Sequence, residues 1–185
     1  MPTVMSHAIA ALALGPAFRR AGWPARVWWA AAICAAVPDA DVLGVFAGVP
    51  LGSLLGHRGL THSLAFAAAL AAIVTPLLVA PGTRRRLWVY LFLATASHGI
   101  LDGMTDGGIG VAYFAPFDAA RYYLPWRPIA VSPLGIRRFL GPRGIAVLAN
   151  EALWLWLPCA VFATAAWLAT LRPRSANEAD ARRRS

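Results

Sequence analysis

The sequence predicts an all-α protein, a multi-pass transmembrane helical bundle of four or five helices with a long irregular loop before the last one. Three observations predict it. The 185 residues are 59% hydrophobic with a mean hydropathy of +0.59, above the usual range of soluble globular chains. The apolar residues gather into five runs separated by turns containing Gly, Pro or Arg. The formal charge of +9 comes from 17 arginines and no lysine, and most of them stand in small groups at the ends of those runs. That placement follows the positive-inside bias of membrane proteins rather than a stripe tracking phosphates, so no direct nucleic-acid binding is expected.

The first run, residues 4–18, reads as an apolar helix that Gly15-Pro16 kinks or ends. It is short, because about 20 residues are needed to cross the hydrocarbon. A basic turn over 19–26 leads to the second run, 27–48, which Pro38-Asp39-Ala40-Asp41 interrupts. Pro38 disfavours helix at the residue before it, so the chain breaks there. After a Gly- and Pro-containing loop over 48–62, Thr61 or Ser63 is placed to cap the third run, 63–81. Arg84 to Arg86 close that run, and a fourth helix over 87–102 carries His98 and Asp102 at its far end. Residues 103–143 are rich in Gly, Pro and aromatics, too broken for one helix and read as a loop or re-entrant cap. The last helix spans 144–171, with Asn150 and Glu151 near its start and a kink at Pro158. One domain over 1–171 is therefore expected, followed by a disordered basic tail over 172–185. Cys34 and Cys159 lie within apolar runs without metal or redox spacing and read as small buried hydrophobes.

All four histidines and four of the eight acids (Asp39, Asp41, Asp102, Asp106) fall in the first 106 residues. If every run crosses the membrane with the basic turns in the cytoplasm, one opposite side receives His7, Asp39/Asp41, His57/His62, His98/Asp102 and Glu151. Arg121, Arg127, Arg137, Arg138 and Arg143 also fall on that side, but long loops count less in setting orientation. An inner-membrane protein with its metal site toward the extracytoplasmic side is the expectation.

His98 and Asp102, at i and i+4, share one helical face. His57 and His62 flank Gly59 and converge through a loop. Four imidazoles and three aspartates make seven nitrogen or oxygen donors without a thiolate. A catalytic zinc takes about three protein ligands and a water, so seven donors suit two ions sharing a bridging carboxylate. Imidazole mixed with carboxylate favours zinc, with manganese or iron as alternatives. Arg58 offers a fork for phosphate oxygens, or else snorkels to the lipid interface. Asp39 or Asp41 is placed to accept a proton if not committed as a ligand, and Glu151, ionisable within an apolar helix, is a functional candidate unless Arg143 or Asn150 pairs with it. Thr61, Ser63 and Ser97 read as partners that orient the ligands.

The order His7, Pro38-Asp39-x-Asp41, His57-Arg58-Gly59-x-Thr61-His62-Ser63, Ser97-His98-x-x-Leu101-Asp102-x-x-Thr105 and Pro116-Phe117 resembles the membrane-bound metal-dependent hydrolases of the YdjM type. These are also described as LexA-binding or LexA-regulated inner-membrane hydrolases. The likeness covers roughly residues 1–120, and the blocks in that order are specific where each alone is not. More distantly, the pattern is similar to the zinc-dependent phospholipase C and P1-nuclease group. The resemblance implies a multi-pass inner-membrane hydrolase with His7, Asp39, Asp41, His57, His62, His98 and Asp102 as ligands. Membrane lipids and a phosphoester or lipid-linked substrate are the partners it suggests. Two other classes stay open on sequence alone: a non-catalytic metal-binding or metal-transport membrane protein, and a scaffold held by a structural metal.

Overall fold

Side-chain caps set where two of the helices begin. Thr3 Oγ1 accepts from the Ser6 amide at 3.4 Å and opens α1, Val4–Phe18, satisfying one of the orphan donors of a helix start. α2, Arg26–Ala36, runs into a 3₁₀ turn over Val37–Asp41 and then a short α3, Val42–Phe46. Pro38 lacks the N–H that a continuing helix would use, and the tighter turn appears where the sequence expects a break. A second 3₁₀ turn, Leu60–His62, precedes α4, Leu64–Leu78, whose cap is the Ser63 hydroxyl accepting from Phe66 N at 3.0 Å. A 3₁₀ turn at Pro81–Thr83 leads into α5, Arg84–Gly103.

The computed structural model describes residues 1–19, 23–133 and 136–171, so the tail 172–185, expected to be disordered, lies outside the described residues. Among the described residues there is no strand; the loop after α5 holds only two isolated bridges, Thr105 with Ile129 and Val111 with Tyr122. A short α6, Ile136–Phe139, and α7, Pro142–Glu151, follow. A π turn over Ala152–Trp156 joins α7 to α8, Leu157–Leu171. The sequence places the irregularity at Pro158; the structure places it one turn earlier. Pro158 cannot donate to the carbonyl four residues back, and the chain absorbs this by widening the preceding turn, where Leu157 N–H bonds Ala152 O.

α1, α2, α4 and α5 pack around a core of Ala11, Val27, Ala31, Ala35, Ala71, Leu87, Tyr90, Leu91 and Ala94, and α8 lies along α1. Five of those nine residues are alanine, which lets the helix axes approach closely. The outer faces are apolar instead: Trp29, Ile33, Ile73, Leu77 and Val161 are all exposed by 60% or more. Large exposed apolar patches mark a surface that something other than water covers. Two helical stretches are long and apolar enough to cross a membrane, Arg26–Phe46 and Pro142–Leu171; Val4–Phe18 and Leu64–Leu78 are apolar but shorter.

Arginines tie one end of the bundle. Arg86 donates to the carbonyls of Ala17 and Phe18 at the end of α1, and Arg26 to Leu78 O at the end of α4. These are helix C-termini, where cations meet unpaired carbonyls and the negative end of the dipole. The opposite end gathers the start of α1, the end of α2, the start of α4 and the end of α5. The candidate ligands lie there.

Candidate metal centre

Three chain segments deliver four donors. The 3₁₀ turn after α2 presents Asp39, the turn before α4 presents His62, and the last two turns of α5 present His98 and Asp102. Gly99 permits this meeting: a Cβ there would stand 2.8 Å from His62 O, so any side chain would push α5 off the histidine loop. The Asp39, His62, His98 and Asp102 donor atoms all lie within 4.8 Å of one another. His62 Nε2 is 3.1 Å from His98 Nε2, 3.5 Å from Asp102 Oδ2 and 3.9 Å from Asp39 Oδ1, and His98 Nε2 is 3.3 Å from Asp39 Oδ1. A tetrahedral ion with bonds of about 2.0–2.1 Å holds its ligands roughly 3.3 Å apart, and the distances seen, 3.1 to 3.9 Å, bracket that value.

The imidazole tautomers point the same way. His98 Nδ1 lies 2.7 Å from Ala35 O, a carbonyl that can only accept, so Nδ1 carries the hydrogen and Nε2 a lone pair. Thr61 donates to Asp41 Oδ2 at 2.6 Å, which frees the Thr61 oxygen and Asp41 to accept from His62 Nδ1 at 3.1 and 3.2 Å. With Nδ1 the donor on both rings, the two Nε2 atoms face each other at 3.1 Å, a contact that a metal ion between them, or a second proton on one of them, would relieve. Burial alone would lower the His62 imidazole; the carboxylates of Asp102 and Asp41 beside it outweigh that and raise it to about 9, so positive charge is favoured at this point. Both oxygens of Asp39 and both of Asp102 are buried without a hydrogen-bond partner. Leaving two buried carboxylates so would cost roughly several kcal/mol per ion, offset in part at Asp102 by Arg58. With every imidazole neutral, as metal ligands are, three aspartates against the one guanidinium of Arg58 leave two negative charges, which one divalent cation would balance. The residues present therefore fit a metal ion, and the group can hold one.

Asp41 and His57 stand behind this centre. Asp41 Oδ1 meets His57 Nδ1 at 2.7 Å, while its Oδ2 serves His62 and Thr61. Asp41, His57 and His62 form a second group close enough to hold a metal, but the bonds seen make Asp41 the carboxylate that orients His62, a common arrangement behind a metal ligand. His7 stacks on His98 with ring centroids 3.6 Å apart, and its Nε2 is 3.7 Å from Asp102 Oδ1. Its two ring nitrogens are buried without a hydrogen-bond partner. The seven donors expected on one site thus resolve into four at the centre, a flanking His7 and an outer Asp41–His57 pair.

Arg58 is buried at 1% exposure rather than snorkelling to lipid. Its backbone takes the left-handed conformation, φ +64°, uncommon for a residue with a side chain. Nε reaches Asp102 Oδ2 at 3.0 Å, close enough for an ion pair although off the direction of a good hydrogen bond. The fork is completed by NH2 to Thr105 Oγ1 at 2.9 Å and NH1 to Gly107 O at 3.1 Å. Gly108, at φ +97°, leaves room for it, since a Cβ there would lie 2.3 Å from Arg58 NH1. Ser63 caps α4, and Ser97 donates to Ala94 O within its own helix, away from the ligands.

Glu151 does not join the cluster. It accepts from Thr3 N, Thr3 Oγ1 and Ser6 Oγ, each at 2.6 Å, and so pins the first turn of α1 to the end of α7. Neither Arg143 nor Asn150 is its partner: they bond Val131 O and the backbone around Pro128–Ala130. Glu151→Ala strands three buried donors and is expected to cost about 2 kcal/mol or more, read as a lower unfolding midpoint, with the metal content per chain unchanged.

Sequence reasoning missed Arg121. Its guanidinium donates to the carbonyls of His57, Leu51 and Ser53 and ties the histidine loop to the long loop after α5. No motif marks it; it lies 64 residues from His57.

A family profile described as YdjM inner membrane protein matches residues 1–175. Inner membrane protein YbcI of Escherichia coli (strain K12) is 40% identical over 165 residues, covering 85% of this chain and 92% of that protein. No solved structure matches the chain. With a profile spanning nearly its whole length and a relative at this identity, the chain belongs to the YdjM inner membrane protein family.

Proposed function

We propose that the chain is a multi-pass membrane metal-dependent hydrolase acting on phosphoesters, lipid-linked ones included, with its centre at the extracytoplasmic end of a four- or five-helix bundle. The observation that carries this reading is the convergence of Asp39, His62, His98 and Asp102 at coordinating distances around unpartnered carboxylate oxygens. Arginines binding helix ends at the opposite pole support the orientation, because that pole reads as cytoplasmic.

A divalent ion, zinc by the imidazole–carboxylate donor set with manganese or iron as alternatives, supplies Lewis acidity and a more acidic bound water. Asp39, His62, His98 and Asp102 hold it. Asp41 fixes the ring of His62, and Ala35 O fixes that of His98. Arg58, next to Asp102, is the cation nearest the centre, and it would meet a phosphoryl oxygen by giving up a bond to Thr105 or Gly107. Asp41 is fully engaged by His57, His62 and Thr61 and is not free as a base. His57, at the outer edge of the group with Asp41 on its Nδ1, is the residue placed to carry a proton outward.

Purified protein reloaded with zinc is expected to hydrolyse bis(p-nitrophenyl) phosphate, and His62→Ala to lose both the metal and the turnover while keeping its helical content. Bound metal without turnover, together with metal flux in proteoliposomes, would favour transport instead.

A further inference from the structure

At the pole opposite the centre, the end of α1 and the start of α5 enclose a hollow of about 440 Å³, lined by Ala17, Phe18, Gly82, Arg85, Arg86 and Val89. Both of its cations, Arg85 and Arg86, are exposed. Arg86 is held in place beforehand: Nε donates to Phe18 O at 2.9 Å and NH2 to Ala17 O at 3.2 Å, which leaves NH1 for a ligand. Every acid among the described residues stands toward the other end. Asp39, Asp41, Asp102 and Asp106 lie at or next to the centre, Asp118 in the loop after α5, and Glu151 against the start of α1. The hollow therefore presents positive charge that no described carboxylate balances, and an anion suits it. Its apolar part decides which anion. Val89 follows Arg85 by one turn on the same face of α5, deeper into the bundle, and Phe18 is half-buried against Tyr90. Guanidinium at the rim with apolar side chains one turn below matches an amphiphile, whose first methylenes leave water as its phosphate meets the charge. The chain belongs to an inner membrane protein family, and anionic lipid is the amphiphile that a membrane offers to a basic rim.

We propose that this hollow binds an anionic phospholipid, with the phosphodiester between Arg85 and Arg86 and the acyl chains along Val89 and Phe18. A bound lipid adds to the tie that Arg86 makes between the end of α1 and the start of α5. The site lies at the far end from Asp39, His62, His98 and Asp102, so it stands whether or not the centre hydrolyses anything.

Native mass spectrometry of the full chain in detergent tests this by counting bound lipid. Dioctanoyl phosphatidylglycerol is expected to bind about tenfold more tightly than dioctanoyl phosphatidylcholine, which carries the same phosphate beside a cation. Arg85→Gln is expected to weaken phosphatidylglycerol about fivefold, the share of one interfacial arginine, and to leave phosphatidylcholine within about twofold. Arg84→Gln removes the same charge from the same turn but lies outside the lining, and is expected to change neither lipid by more than about twofold. Should Arg85→Gln fold poorly, Val89→Trp, which fills the apolar part of the hollow, is expected to weaken phosphatidylglycerol with both guanidiniums still in place. Glycerol phosphate at the lipid's concentration is expected to displace none of it. Equal affinity for the two lipids, or equal weakening by Arg84→Gln and Arg85→Gln, would reduce the pole to a diffuse positive field and overturn the proposal. Displacement by glycerol phosphate would make the hollow a site for free phosphate and overturn it too.

Discussion

Asp102→Ala is expected to release the metal and to destabilise the fold in one step. Asp102 is wholly buried, with Oδ2 toward His62 and Arg58 and Oδ1 toward His7. Removing it takes away a ligand and strands the Arg58 guanidinium in the interior. Breaking a buried ion pair from one side costs about 3–5 kcal/mol, a loss readable in the unfolding midpoint of the detergent-solubilised protein. The double variant Asp102→Ala with Arg58→Met separates the two effects, because an apolar replacement for both partners is often neutral. Stability should return and metal should not. Metal retained by Asp102→Ala would remove the residue from the centre.

Asp41→Asn should behave differently. The outer carboxylate orients His62 through Nδ1 and holds His57 and Thr61. Losing such a partner typically weakens metal affinity about 10–100-fold without removing a ligand. Saturating zinc should therefore still give the wild-type stoichiometry, with the weakening visible in competition against a chelator of known affinity. The seven-donor arrangement expected from sequence predicts the other result, a lower stoichiometry even at saturation. Chelation of the wild type should lower its unfolding midpoint, since an ion that binds only the folded chain stabilises it by mass action. The shift should be small in His62→Ala, which has less to lose.

The helices and the cluster's members were legible in the sequence; the division of labour among them was not. Apolar runs, Pro38 and the Ser63 cap foretold α1, α2, α4 and α5 and the break that turns Asp39 inward, because these are local effects of backbone chemistry. The i, i+4 spacing placed His98 and Asp102 on one face. Spacing could not say that Asp41 faces the back of His62, or that His7 stacks on His98, since both depend on how distant segments pack. Arg58 was read as either a phosphate fork or a lipid-facing charge; its left-handed backbone and the space above Gly108 bring it inside. Glu151 was legible as unusual but not as the latch on α1, a contact across 148 residues. The π turn before Pro158 escaped because the sequence marks the missing donor, not where the helix absorbs the loss.

X-ray absorption at the zinc edge of the reloaded protein tests the four-donor centre most directly. Two imidazoles with oxygen neighbours at about 2.0–2.1 Å, a signal that His98→Ala abolishes together with the bound zinc, is the result expected from the geometry of Asp39, His62, His98 and Asp102. Sulfur scattering near 2.3 Å, or a spectrum indifferent to His98, would contradict it.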